Sequence, residues 1–167
     1  EPDGVTLDFP AQAVQPIALP DALRDGLAVV VDTPCLKAQI SNGNYLVVLP
    51  NQAAVKALSP DMAKLAAVTD GGIIATAKGD AVDFVSRFFA PHYGIPEDPV
   101  TGSAHCSLVP YWAAVLGKQA LQAKQISERG GQLQCQLNGM RVAMAGQAVT
   151  VNRTEWRLPD VALSISE

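Results

Sequence analysis

Apolar residues recur at every second position over much of this chain. In "GVTLDF" (4–9), Val5, Leu7 and Phe9 alternate with Thr6 and Asp8, which predicts a half-buried strand. "LAVVVDT" (27–33) has no polar break until its end and predicts a buried strand. "LKAQI" (36–40) and "NYLVVLP" (44–50) flank Asn42-Gly43, a hairpin signal. "GGIIATAK" (71–78) and "AVDFVSRFFA" (81–90) read as further strands. The second sets Phe84 and Phe88 on one face, with Val85 and Phe89 displaced from them. After residue 120 the pattern is again β: 121–128, 132–137, a turn at Asn138-Gly139, 140–146 and 147–158.

Helical segments are fewer. Pro10, Pro16 and Pro20 mark a loop, and "PDALRDG" (20–26) follows as a short helix stopped by Gly26. Asn51 caps 52–58; Ser59 caps the next helix, with Pro60 at its first position and Asp61 in its first turn, running to about Val68. From Ser103 to Leu116 a longer helix ends at Gly117. Ala104, Cys106, Leu108, Val109, Tyr111, Trp112 and Val115 make it apolar nearly all round, so it is buried on most sides. Pro110 removes one backbone hydrogen bond inside it, which predicts a kink. These elements give an α+β fold, a mostly antiparallel sheet or barrel wrapped around a central helix at about 103–116.

Composition narrows the function. A chain of 167 residues, 49% hydrophobic and 17% charged, can bury one real core. Its net charge of −4, with no Lys/Arg-rich patch, argues against nucleic acid. No apolar run approaches the ~20 residues of a membrane helix. Cys35, Cys106 and Cys135 form no CxxC, and neither histidine stands at a metal spacing from them. Free thiols, no metal and a cytoplasmic setting are expected. The chain opens without methionine or a leader pattern, so it reads as part of something longer.

The chemistry concentrates in "GIPEDPVTGSAHC" (94–106). Pro96 and Pro99 stiffen a loop and hold Asp98 extended just before the apolar helix. Thr101 or Ser103 can cap that helix, and Gly102 puts no side chain over its first turn. Free N–H groups there, with the positive end of the helix dipole, suit a carboxylate or the enolate-like charge formed beside one. Asp98 is placed to orient or exchange a proton, and Ser103 to add a hydrogen bond. The plainer reading of Asp98, Thr101 and Ser103 is helix capping. Glu97, His92, His105 and Tyr93 are secondary candidates; Arg87 suits a pairing with Glu97, and Cys106 a buried, inert thiol.

The stretch from Arg87 to His105, "RFFAP…GIPEDPVTGSAH", resembles the signature of the PhzF-like family, named for phenazine biosynthesis. "LDFPA" (7–11) and "SERGGQLQCQL…RVAMAGQAVTV" (127–151) resemble its mid-chain strand and C-terminal ladder. The resemblance implies a diaminopimelate-epimerase-like fold of two lobes, each wrapping sheet around a central helix, with the active site between them. It implies a cofactor-independent isomerase acting beside a carboxylate on a small substrate. Asp98 and Ser103 match catalytic positions, and Thr101, Gly102 and Ser103 match the turn that holds the substrate carboxylate. The family's first-lobe glutamate, in an SET-like motif, and its histidine, in a CGHAT-like motif, have no counterpart here. Residues 1–11 are then expected to be the last strand of a first lobe and 12–167 the C-terminal lobe, which pairs with a first lobe or with a second copy. Two other readings stand beside this one: a lobe that binds a carboxylate or a partner without turnover, and a two-thiol racemase using Cys106.

Overall fold

The computed structural model describes residues 4–68, 70–148 and 150–156. Ten strands form one sheet. In chain order they are β1 (Val5–Pro10), β2 (Val14–Ile17), β3 (Cys35–Ala38), β4 (Tyr45–Val48), β5 (Ile73–Lys78), β6 (Phe84–Ala90), β7 (Ile95–Asp98), β8 (Ala120–Gln125), β9 (Gly131–Asn138) and β10 (Arg141–Gly146). The helices are α1 (Asp21–Leu27), α2 (Gln52–Ala57), α3 (Met62–Leu65) and α4 (Gly102–Leu116), with a 3-10 turn at Pro91–Tyr93.

The sheet runs β1-β10-β9-β8-β6-β5-β4-β3-β2, with β7 also on β6. Only β4–β5 and β6–β8 are parallel among these pairings. The two ends of this path, β1 and β2, are neighbours in sequence, three residues apart. A sheet whose first and last strands meet across so short a link must curl. It curls around α4 into an incomplete barrel, and β1 and β2 do not pair.

Two cores result, one on each side of β4–β6. Inside, Leu46, Ile74, Phe84 and Phe88 meet Ala104, Leu108, Val109 and Trp112 of α4. Outside, Val47, Ile73, Ala75, Val85 and Phe89 meet Leu23, Leu27, Val55 and Leu65 of α1–α3. The split of Phe84 and Phe88 from Val85 and Phe89 is the one their spacing predicts. The Phe84 ring lies 5.9 Å from both the Trp112 and the His105 rings. Trp112 Nε1–H donates to Thr76 Oγ1 at 3.0 Å, which satisfies the indole inside this core.

Several predicted elements differ. Residues 27–33 form no strand: Leu27 ends α1, Ala28 takes a left-handed φ of 53°, and Val30 and Val31 are exposed. Gly26 does not end α1 but is buried within it, where Leu65 leaves no room for a Cβ. The proline-rich loop contains β2, an edge strand whose Pro16 needs no ladder N–H. Asp61, not Ser59, caps α3, accepting from the Ala63 and Lys64 N–H groups, and α3 ends at Leu65. Residues Ile95–Asp98 are a strand rather than a loop. No strand forms after Gly146 among the described residues, and the rest of the predicted 147–158 strand lies outside them. β1 is exposed throughout, not half-buried. Val5, Leu7 and Phe9 lie opposite Gly146, Met144 and Val142, hence on the inner face, but at an edge that α4 does not cover. Asn51 and Gly117 cap as predicted, and Pro110 is held within a continuous α4.

Candidate active site

β6 offers one edge to two strands. Phe84–Ser86 pair with β8, and Phe88 and Ala90 pair with β7 across a register shift. The Asp98–Thr101 turn therefore leaves the sheet beside the end of β8, and α4 starts from it.

Gln125, the last residue of β8, is completely buried and organises this turn. Its Oε1 accepts the Thr101 N–H at 2.8 Å, while its Nε2 donates to the Asp98 carbonyl at 2.7 Å and to Thr101 Oγ1 at 3.1 Å. Ser127 adds a tie, donating to the Pro99 carbonyl at 2.8 Å and accepting the Gly130 N–H at 3.0 Å. Both residues were invisible as site residues in the sequence. The only signal was a polar side chain at an inward position of the alternating β8 pattern, buried on the same face as Leu121 and Ala123.

Thr101 stands at the N-cap of α4, yet its side chain makes no capping bond. Its hydroxyl donates to Asp98 Oδ2 at 2.5 Å. Ser103 lies inside the first turn and is exposed, as is Gly102, above which space is open. The first N–H groups of α4 therefore have no side-chain cap, and Asp98 stands beside them half-buried. This is the geometry an anion cradle needs.

At Gly102 the start of α4 opens on a groove of about 970 Å³ that runs along β1, β8, β9 and β10. Val5, Leu7, Val100, Gly102, Leu133 and Met144 line it, and Arg129 is the one charged residue on its described wall. Gly131 approaches Val100 so closely that a Cβ would come within 2.4 Å of Cγ2, which holds the Arg129 turn against the Asp98 loop.

Of the secondary candidates, Glu97 faces away. Its carboxylate takes both Arg87 Nε (2.7 Å) and Nη2 (2.9 Å), as the sequence suggested, while Arg87 Nη1 donates to the Leu58 carbonyl at 2.7 Å. His105 lies beneath the turn, fully buried. Its Nδ1 is 2.8 Å from the Thr101 carbonyl, which can only accept, so Nδ1 carries the proton and Nε2 is bare, with no partner among the described residues. Burial holds this imidazole below its ordinary pKa. His92 sits half-buried in the 3-10 turn against Tyr93. The three thiols are free and buried. Burial raises all of them, Cys35 to about 11 and Cys135 to about 12, which keeps them protonated and unreactive. No cluster of His, Cys, Asp or Glu among the described residues is arranged to hold a metal. No described helix is long and apolar enough to cross a membrane.

This architecture is the diaminopimelate-epimerase-like α+β fold, with its sheet left unclosed. A family model described as a phenazine biosynthesis-like protein matches residues 11–154, and the chain belongs to that PhzF-like family. It is 48% identical over 95% of its length to an uncharacterized isomerase of Pseudomonas aeruginosa, covering 59% of that protein. A second uncharacterized isomerase of the same organism is 44% identical over 89% of the chain and is covered over 55% of its own length. A crystal structure of a phenazine biosynthesis protein of the PhzF family from Enterococcus faecalis superposes with a TM-score of 0.80 at 37% identity, covering 92% of this chain and 57% of that one. The chain thus spans somewhat more than half the length of the relatives it matches.

Proposed function

We propose that this chain is the C-terminal lobe of a cofactor-independent isomerase that moves a proton at a carbon next to a carboxylate. The observation that carries the reading is the uncapped start of α4, with Asp98 fixed beside it and open space above Gly102. The N–H groups of that turn, with Ser103, bind the substrate carboxylate. When the neighbouring C–H proton leaves, the enolate-like charge that develops falls next to the same dipoles. Returning the proton at another carbon, or at the other face, completes an isomerisation with no net redox change. Asp98 and Ser103 take the catalytic places on this wall, and Thr101 and Gly102 shape the cradle. The main acid/base comes from a first lobe that faces the groove, which is bordered here by exposed Val5 and Leu7. Isomerase is also the activity in the names of the similar Pseudomonas proteins.

A second reading is a lobe that binds a carboxylate without turnover. The same uncapped first turn of α4 and the open space above Gly102 support it, since an anion can be held there with no proton transfer.

Incubation in D₂O with 2-amino and cyclohexadiene carboxylates separates the two. The protein carrying both lobes should place solvent deuterium at the carbon beside the carboxylate, and Asp98→Ala should slow this by about 100-fold or more. Full exchange by Asp98→Ala would remove Asp98 from the mechanism. Binding without any exchange by the two-lobed protein would leave the second reading.

A further inference from the structure

We infer that Gln125 is a positioning residue: through Thr101 it sets the direction of hydrogen bonding at Asp98 and leaves Oδ1 as that carboxylate's open acceptor. The inference rests on Asp98 taking part in proton transfer, as proposed above.

The direction follows from valence alone. The Thr101 backbone N–H can only donate, so the Gln125 atom 2.8 Å from it must be the amide oxygen. The amide nitrogen therefore faces the Asp98 carbonyl and Thr101 Oγ1. The Asp98 carbonyl can only accept, which agrees. With Nε2 donating to it, Thr101 Oγ1 is an acceptor from Gln125, and its single proton is left for Asp98 Oδ2. The chain has one polarity: amide to hydroxyl to carboxylate. Oδ2 is thereby occupied as an acceptor, and no described group donates to Oδ1. A proton reaching this carboxylate is steered to Oδ1.

Packing holds this order in place. Gln125 is fully buried, and its backbone is paired with Ser86 on one side and Gly131 on the other. It sits where β7 leaves β6 and β8 ends, and Pro99 has no N–H to take part in a ladder. The side-chain amide makes the two-pronged pairing that a strand would otherwise make. In a buried site such a network cannot reverse without leaving a donor or acceptor unmet.

The test separates the relay from simple anchoring of the loop. Thr101→Val removes the hydroxyl but keeps the Gln125 bonds to the Thr101 N–H and the Asp98 carbonyl; Thr101→Ser keeps the hydroxyl. Proton NMR of this chain should resolve the Thr101 hydroxyl proton, with cross-relaxation to the Gln125 side-chain amide. That proton should exchange with water about tenfold or more slowly than the hydroxyl of exposed Ser103. The signal should persist in Thr101→Ser. A Gln125 side-chain amide exchanging as fast as those of exposed Gln132 and Gln134 would overturn the relay. In the two-lobed protein, Thr101→Val should lower kcat about 10- to 100-fold with KM within about twofold, and Thr101→Ser should restore it. An unchanged kcat in Thr101→Val would overturn the positioning role. Should the wild-type protein turn nothing over, the isomerase reading fails, and the hydroxyl signal alone decides the relay.

Discussion

The two halves of the sheet are built to different standards. β5 and β6 are buried at nearly every position, because α4 covers one face and α1–α3 the other. β8 alternates strictly between buried and exposed residues, and β1 is exposed along its whole length. For β8 the difference comes from the missing outer cover; β1 at the edge also lies beyond the reach of α4 on its inner face. The doubly covered half is a rigid backing. The singly covered half carries Gln125, Ser127 and Arg129, and it borders the groove. A site that must admit a ligand is placed where cover is thin, on a turn tied to β8 by Gln125 and Ser127 and, through Glu97 and Arg87, to the doubly covered β6.

Three experiments sharpen or break this contrast. The largest effect is expected at Phe89, fully buried against α1–α3. Phe89→Ala should cost about 3–5 kcal/mol in urea unfolding, whereas outward-facing Gln134→Ala should stay within about 0.5. Equal costs would mean that the outer helices contribute nothing special. Next comes the Arg87–Glu97 pair, which joins β6 to β7 and to the end of α2 and is largely shielded from solvent. Arg87→Met should cost about 1–3 kcal/mol, since it strands a half-buried carboxylate and removes the donor to the Leu58 carbonyl. A double-mutant cycle with Glu97→Gln should show coupling of about 1 kcal/mol, and additivity would show that the pair is not what ties β7 down.

The smallest effect is a slope. His105 is folded in as a neutral, desolvated ring, with its pKa below the unfolded value. The unfolded chain then binds the extra proton first, so this contribution to stability is complete above the unfolded pKa of about 6.5 and is lost as pH falls below it. His105→Gln should flatten the pH dependence of stability just below that value while leaving the carboxylate-driven loss at lower pH. An unchanged slope would assign the mild-acid loss to other groups.

Local signals were legible where a residue's effect stays within a few neighbours. Asn51 accepts the Ala54 N–H as its place before an apolar run predicts, Gly117 ends α4 with a φ of 66°, and Arg87 finds Glu97. The errors came where the decision was not local. "LAVVVDT" is strand-like in composition, yet the turn after α1 leaves Val30 and Val31 in solvent. Pro96 argued for a loop, yet an edge strand tolerates it because β7 pairs with β6 on one side only.

The sequence by itself determined the α+β class, the buried helix, the phase of the inward-facing residues in β6 and the family motif, since periodicity, caps and a contiguous signature are written along the chain. Tertiary structure alone decided that β1 and β2 would bring the sheet round on itself, that Arg129 would line the groove of α4, and that Gln125 would cross from β8 to hold Asp98 and Thr101. Those outcomes depend on which strands share an edge of β6. That choice is made by burying both faces of the sheet at once, and no single window of sequence contains it.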